Sequence, residues 1–482
     1  MSEPPTTLAS DWAAPPPPRK SFSVVVTVLC SIVVILYIGL LGRPLIEPGI
    51  SPLAELKYPE RSLERLVTRE LDLRAAMLHS GLPWEWRLYR ALSGDEDPLV
   101  EAATWYAELL ELHDSPKAEL ERVILLAESG RTRAARTEIE RWSEAGDARA
   151  RMLAWVTAAY RSPPPSPNAG RTLIREIEDE LRPSWFSNTL VRRIATRIGD
   201  APQRAQAEQA ILTRGQALLI RARLLTATSA GLLVLGAVAL WWMLARRSGP
   251  QVGNAPLPPD WSGADGYALF VRSLGVPQAI AVLAFVVLRR ETGLGSLLGM
   301  AADLPIFLWV WHYLRTHDSS MRTAFGLRPR RRGWAPLAGA TFALVAIALV
   351  GDIVIQIASG YLRVRTHWTD GFAEELLWAA PRRVLLEAFD ASLWAPIVEE
   401  ITFRGLLYGT LRTRLGAGTS ALLSAVIFTL PHGYAAVGSA SVLVSGLLWA
   451  LAYERTRSLL PGLFAHAANN LLSTVWTVAL LR

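Results

Sequence analysis

Two carboxylates and a guanidinium stand together at Glu399, Glu400 and Arg404, in the middle of a run from Ala391 to Leu411 that is otherwise apolar enough to cross a membrane. An ionised side chain at the centre of a bilayer costs at least about 2.5 kcal/mol, so such groups face a partner or a cavity. Residues four apart on a helix share a face. Glu400 therefore has a built-in counter-ion in Arg404, whereas Glu399 points about 100° away from Glu400. The spacing predicts a structural ion pair between Glu400 and Arg404 and leaves Glu399 as the chemically available group. A packing network between helices is the competing reading, since buried networks also perturb ionisation.

Of the seven histidines, three fall in or at the ends of hydrophobic runs. His312, between Trp311 and Tyr313, reads as an interfacial residue. His432 closes Phe428-Thr429-Leu430-Pro431-His432, and His466 opens His466-Ala467-Ala468-Asn469-Asn470, where His466 and Asn470 share a helical face. Singly, each histidine reads as a hydrogen-bonded core residue. With Glu399, on three consecutive polar-bearing spans, they supply the parts of a hydrolytic site. A carboxylate or imidazole must take a proton from water, and donors must lie where the tetrahedral oxyanion forms. Glu399 and His432 suit the first task, His466 and Asn470 the second. Alternatively, Glu399, His432 and His466 could bind a divalent metal such as zinc, because two imidazoles and a carboxylate leave a position for water. A His-Glu-x-x-His zinc helix is absent. Asp303, Asp352 and Asp390 lie in or beside spans without a Gly-x-Gly-Asp context, which disfavours an aspartyl dyad.

The elements that must position these residues follow from composition and periodicity. With 482 residues, 51% of them hydrophobic, part of the chain lives in lipid. The net charge of +7 comes almost wholly from arginine, lysine occurring only at Lys20, Lys57 and Lys117. No basic stripe interleaved with aromatics is present, so no nucleic-acid partner is expected, and the bilayer is the partner that the charge pattern fits. Cys30 is the single cysteine, which excludes a disulfide framework or a cysteine metal site within one chain.

Residues 1–21, rich in Pro, Ser and Thr and ending near Arg19-Lys20, read as a disordered cytoplasmic tail. Residues 22–42 are a transmembrane anchor, longer than the apolar core of a signal peptide and followed by Gly42-Arg43-Pro44-Leu45. Residues 46–223 change to charged segments of period 3.6, an extramembrane helical domain. Its clearest unit pairs the stripe Leu120, Val123, Ile124, Ala127 with Ala134, Ala135, Ile139, Trp142 across a break at Ser129-Gly130. That antiparallel pair has the size of one tetratricopeptide-like unit, without an evident second copy at fixed spacing. Residues 224–245 form the second span, 249–263 a Pro/Gly-rich linker, and 264–482 a core of seven further apolar runs, at roughly 266–288, 297–314, 334–357, 385–411, 417–430, 439–453 and 460–481. The fold class is all-α: a polytopic helical membrane protein of about nine transmembrane helices. Basic residues favour the inner segments by about two to one, which predicts a cytoplasmic N-terminus, an extracytoplasmic 46–223 domain and an outer C-terminus. Run 439–453 is the weakest, and losing it would invert everything after it. One tension remains in this layout: His432 lies near the outer end of its run, while Glu399 and His466 lie nearer the inner side. Either run 417–430 begins deeper or its helix continues past Gly433.

Taken in order on successive spans, Glu-Glu-x-x-x-Arg-Gly at 399–405, Phe-x-x-x-His at 428–432 and His-x-x-x-Asn at 466–470 resemble the motif set of the CAAX-protease and bacteriocin-processing (CPBP, or ABI) family, which includes the Ras-converting CAAX endopeptidase. Ala395-Pro396 before the Glu pair and Thr456-Arg457-Ser458-Leu459-Leu460-Pro461 before the final His are similar to the family as well. The resemblance covers about residues 297–481. It implies an all-helical membrane core, with Glu399 as general base on water and His432 orienting or sharing the proton. Glu400 would pair with Arg404 in support, and His466 and Asn470 would stabilise the oxyanion. Family members are described both as metalloproteases and as metal-independent glutamate proteases, and the metal-free form is preferred here.

The function expected is that of an intramembrane peptidase of the bacterial inner (plasma) membrane, acting on a membrane-associated protein or peptide recruited by the 46–223 domain. The alternative is a non-catalytic scaffold or immunity-type protein that binds a partner through that domain. A transporter would call for broken helices and internal repeat symmetry, which the sequence lacks.

Overall fold

The computed structural model describes residues 22–41, 53, 56–94, 97–142, 147–245, 251–288, 295–330, 333–364 and 366–482. The tail assigned to residues 1–21, and Arg246, Arg247, Arg289, Arg290, Arg331, Arg332 and Arg365 from the charge count, lie outside the described residues. Every regular element among the described residues is a helix.

The part expected from the sequence to be extramembrane comprises α2 (Pro59–Ser80), α3 (Pro83–Ser93), α4 (Pro98–Leu112), α5 (Pro116–Glu128), α6 (Thr132–Trp142), α7 (Asp147–Tyr160), α8 (Pro167–Glu180) and α9 (Trp185–Ile198), preceded by the apolar α1 (Val24–Leu41). Proline opens five of these helices, where its missing N–H and fixed φ cost nothing. Asp97, Ser115 and Ser166 accept from the backbone N–H groups of Leu99, Ala118 and Ala169 and so set where α4, α5 and α8 begin. The α5–α6 pair breaks at Ser129-Gly130, and Leu120, Val123, Ile124, Ala135, Ile139 and Trp142 are buried in a common core with Tyr106, Trp155 and Ile194. Ala134 faces outward.

The boundary drawn at residue 223 falls inside one continuous helix, α10 (Ala201–Ala245), 45 residues and about 67 Å long. Its first part packs on α2 and α9 and its apolar part on α14 (Trp334–Leu362). Arg214 forks onto Asp72 at 2.8 and 3.1 Å, and Arg223 onto Glu85 at 2.7 and 2.9 Å, so the domain is stapled to a rod that runs into the membrane core.

That core contains α11 (Gly263–Leu288), α12 (Gly295–Thr316), the short α13 (Met321–Ala324), α14, the short α15 (Glu374–Trp378), the composite α16 (residues 381–412), α17 (Ala417–Thr429), α18 (Ala436–Thr456) and α19 (Leu460–Leu481). Helices α10, α11, α12, α14 and α18 are long and apolar enough to cross a membrane, and α1 and α17 are shorter apolar helices. The run judged weakest, 439–453, extends three residues at each end as α18 and qualifies. Helix α1 docks on α11 through Arg272, whose guanidinium donates to Thr27 Oγ1 at 2.8 Å and Ser23 O at 3.0 Å and lies 4.7 Å over the Phe22 ring.

Two ties fix the ends of the site-bearing helices. Val252 and Gly253 donate backbone N–H groups to Thr456 O and Ala255 to Arg457 O, and Leu459 N donates to Phe325 O, which anchors the turn before α19. At the opposite end, Arg482 donates to Leu376 O and Ala379 O at 3.0 Å each, while Arg69 of α2 donates to Arg482 O at 3.2 Å. The C-terminus and the extramembrane domain therefore lie on the same face of the membrane core.

Candidate active site

Pro396 accounts for the first irregular stretch of helix α16. The helix runs as Pro381–Phe389, a π-helical stretch Asp390–Trp394, a short α segment Ala395–Glu399, a second π-helical stretch Glu400–Tyr408, and Gly409–Arg412. Proline has no N–H to offer, and a wider turn is one way for a helix to absorb it. In an i to i+5 pattern the carbonyl of Ala391 would face the nitrogen of residue 396, which carries no hydrogen. Asn470 of α19 takes that place, donating Nδ2–H to Ala391 O at 2.9 Å. One of its two amide hydrogens is thereby committed to holding α16 against α19.

All nine residues of Glu400–Tyr408 are buried. Glu400 and Arg404 form the predicted ion pair, Oε1 to Nη1 at 3.0 Å, with both side chains 1% exposed. Arg404 also donates from Nη2 to Gly446 O of α18 at 3.3 Å, and its guanidinium lies 4.1 Å over the ring of Phe428. Phe428 thus acts as a cation–π platform and touches both histidine rings, at centroid separations of 4.7 Å to His432 and 6.0 Å to His466.

His466 sits between the two carboxylates. Its Nδ1 is 3.0 Å from Glu400 Oε1 and its Nε2 is 3.6 Å from Glu399 Oε2. Glu400, as a carboxylate, only accepts, so Nδ1 carries the hydrogen of that bond. The carboxylate thus serves two partners, Arg404 and His466, a second role that the heptapeptide did not reveal because the histidine comes 66 residues later. Gly462, one helical turn before His466, permits the approach, since a Cβ there would stand 3.3 Å from Glu400 Oε2. Glu399 differs in kind from its neighbour: its side chain is 28% exposed.

His432 joins the group because its helix stops early. After Thr429, α17 tightens into a 3₁₀ turn, Leu430–His432, and Gly433 ends it at φ +65°, a left-handed conformation that favours glycine. Neither option raised by the layout is therefore needed, because the helix neither continues past Gly433 nor crosses as a long span. His432 Nδ1 donates to Phe428 O at 2.9 Å, which leaves Nε2 for chemistry. His432 is within electrostatic reach of Glu399, His466 and Arg404.

Tyr37 of α1, Asp303 of α12, Asp390 of α16 and Tyr434 lie within electrostatic reach of Glu399. Asp303 Oδ2 accepts from Trp394 Nε1 at 3.0 Å, and Asp352 Oδ1 accepts from Ser441 Oγ at 2.7 Å. The apolar runs that place both aspartates are visible in the sequence, but nothing in it pairs α1 or α12 with α16.

Residues 381–472 match the Rce1-like family, described as type II CAAX prenyl endopeptidase Rce1-like. This stretch is a CAAX-protease-family domain. It contains Glu399, Glu400, Arg404, Phe428, His432, His466 and Asn470, and covers about a fifth of the chain. No curated protein and no solved structure matches the chain significantly. As to a metal in the family domain, no three His, Cys, Asp or Glu side chains among the described residues converge as a ligand set. His466 Nδ1 is held by Glu400 and His432 Nδ1 by the Phe428 carbonyl, which leaves both Nε2 atoms free, so the donor types of Glu399, His432 and His466 would suit a divalent ion although they do not converge on one point.

Proposed function

We propose that the protein is an intramembrane peptidase that hydrolyses a peptide bond of a membrane-associated protein or peptide. The observation that carries this reading is the division between the two adjacent carboxylates. Glu400 is sealed with Arg404 and His466, while Glu399 is open to a water molecule and stands beside the same histidine.

In this reading Glu399, assisted by His432 Nε2, takes a proton from water as the oxygen attacks the substrate carbonyl carbon. With a second hydrogen on Nε2, Nδ1–H remaining on Glu400, His466 stabilises the negative charge that gathers on the carbonyl oxygen, together with the second amide hydrogen of Asn470. The C–N bond then breaks as the proton held by Glu399 passes to the leaving amine. Glu400 and Arg404 keep His466 in place and do not touch substrate. The mechanism as written needs no metal.

A cavity of about 510 Å³ between α2, α3 and α4, lined by Trp86, Tyr89 and Trp105 with Glu70 and Arg74, supports a role for the extramembrane domain in docking a substrate segment or an adaptor. The arginine bias supports a cytoplasmic N-terminus in a bacterial inner membrane, which would make that domain extracytoplasmic.

The test uses purified protein in lipid nanodiscs, incubated with membranes from cells lacking it, with new peptide termini read by mass spectrometry. Wild type generates termini that Glu399→Gln does not, and a chelator leaves them in place. Loss of cleavage on chelation, restored by zinc, would overturn the metal-free mechanism; identical termini from both proteins would overturn the peptidase reading.

A further inference from the structure

One segment joins α14 to α16. In the fold its residues 366–380 tie the extramembrane domain to the turn that carries His432. His367 Nε2 lies 2.9 Å from Glu108 Oε2 of α4. Trp368, 8% exposed, is part of the extramembrane core, with Phe372 packed edge-on against it. Glu374 accepts from Lys57 N, Tyr58 N and Ser62 Oγ at 2.7, 3.0 and 2.7 Å, so one carboxylate caps the start of α2.

Between these anchors stands Asp370. Its backbone N–H donates to His367 O at 3.0 Å, and its Oδ1 accepts from Ala435 N at 3.1 Å. Its Oδ2 presses on Gly438, where a Cβ would come within 3.2 Å. Ala435 is the residue before α18 and makes no side-chain cap of its own. A carboxylate from the loop accepts the N–H of the N-cap residue itself, the bond that an N3 carboxylate makes in a capping box, and places negative charge at the positive end of the helix dipole. Only Gly433 and Tyr434 separate Ala435 from His432, and the rings of Tyr434 and His432 are 5.8 Å apart. His432 is thus held from behind by Phe428 O and from ahead by a turn tied to Asp370.

We propose that Asp370 is a positioning residue for His432 and that, through it, the extramembrane domain is part of the frame of the active site as well as a candidate docking module. The catalytic half of this inference rests on the peptidase reading; the mechanical half does not.

Hydrogen exchange of full-length protein in nanodiscs separates the two. Asp370→Ala raises exchange in peptides spanning residues 430–438 by about tenfold, the factor that goes with losing one hydrogen bond to a charged acceptor. Asp370→Asn, which keeps an acceptor oxygen, stays near wild type, and Glu108→Ala, made in the domain far from His432, raises exchange in the same peptides. Unchanged exchange there in Asp370→Ala, or an equal rise across all spans, overturns the proposal. In the cleavage assay, Asp370→Ala lowers kcat about tenfold with KM nearly unchanged, and Asp370→Asn restores it, as expected for a group that acts only in the transition state through another. An unchanged kcat alongside raised exchange overturns the catalytic half. Wild-type membranes without any Glu399-dependent cleavage would defeat the peptidase reading while leaving the exchange result to stand.

Discussion

Arg404→Met tests the buried frame most sharply, because it removes a counter-ion from a carboxylate that has nowhere to go. Glu400 is 1% exposed and shares one oxygen between Arg404 and His466, each at 3.0 Å. Breaking a buried pair by deleting one partner costs about 3–5 kcal/mol, because the survivor keeps its desolvation cost. Arg404 also gives up its stacking on Phe428 and its bond to Gly446 O. Taking about 4 kcal/mol for the whole, and about 2.1 cal/mol/K of unfolding entropy per residue over a core of roughly 220 residues, Tm falls by about 9 °C. The double variant Glu400→Gln/Arg404→Met has no charge to strand, keeps an acceptor for His466 Nδ1–H, and stays within about 2 °C of wild type. Tryptophan fluorescence during a thermal ramp in detergent reads all three proteins. A single variant as stable as wild type, or a double variant no better than the single, would refute the reasoning.

Glu399→Gln leaves Tm within about 1 °C of wild type, since the side chain is partly exposed and is not the partner of Arg404, yet lowers cleavage by about 10²–10⁴, the range for losing a general base. Equal losses of stability and activity would mark Glu399 as structural. In the extramembrane domain, burial holds the Glu121 carboxyl well above its usual value of 4.5, with Glu64 adding to the shift and Lys117 and the Tyr106 hydroxyl opposing it. The folded domain therefore keeps a proton that the unfolded chain releases, so the stability involved is complete below about pH 4.5 and is lost as pH rises through the folded value. Glu121→Gln still accepts the Tyr106 hydroxyl and does not titrate, so its advantage in Tm over wild type grows from pH 5 to pH 8; a difference flat in pH contradicts this.

How far the sequence could be read varies with the range of the interaction. The Glu400–Arg404 pair is local, four residues on one face, and was legible at once. So was the α5–α6 pair, because a period of 3.6 interrupted by Ser129-Gly130 has few other solutions. The bond from His466 to Glu400 depends on Gly462 and on the turn at residues 456–459, neither of which signals a partner in α16. A full-length span would put His432 near the outer end of its run, whereas α17 ends in a 3₁₀ turn at Gly433. Asn470 reads as an oxyanion donor from its motif, while the carbonyl freed by Pro396 is a demand on it that only the π-helical geometry of α16 creates. Helix α10 hides the junction between domain and membrane because charged and apolar residues suit one helix equally well, so a change of composition at residue 223 looked like a boundary.

The central claim is that Glu399 activates water for peptide hydrolysis in the membrane, and the most direct measurement compares the termini of membrane proteins in cells carrying wild type or Glu399→Ala at equal abundance. The account predicts a defined set of new termini with wild type that is missing with the variant. Identical termini in the two strains, with the variant still behaving as a null, would contradict it and leave Glu399 a structural residue.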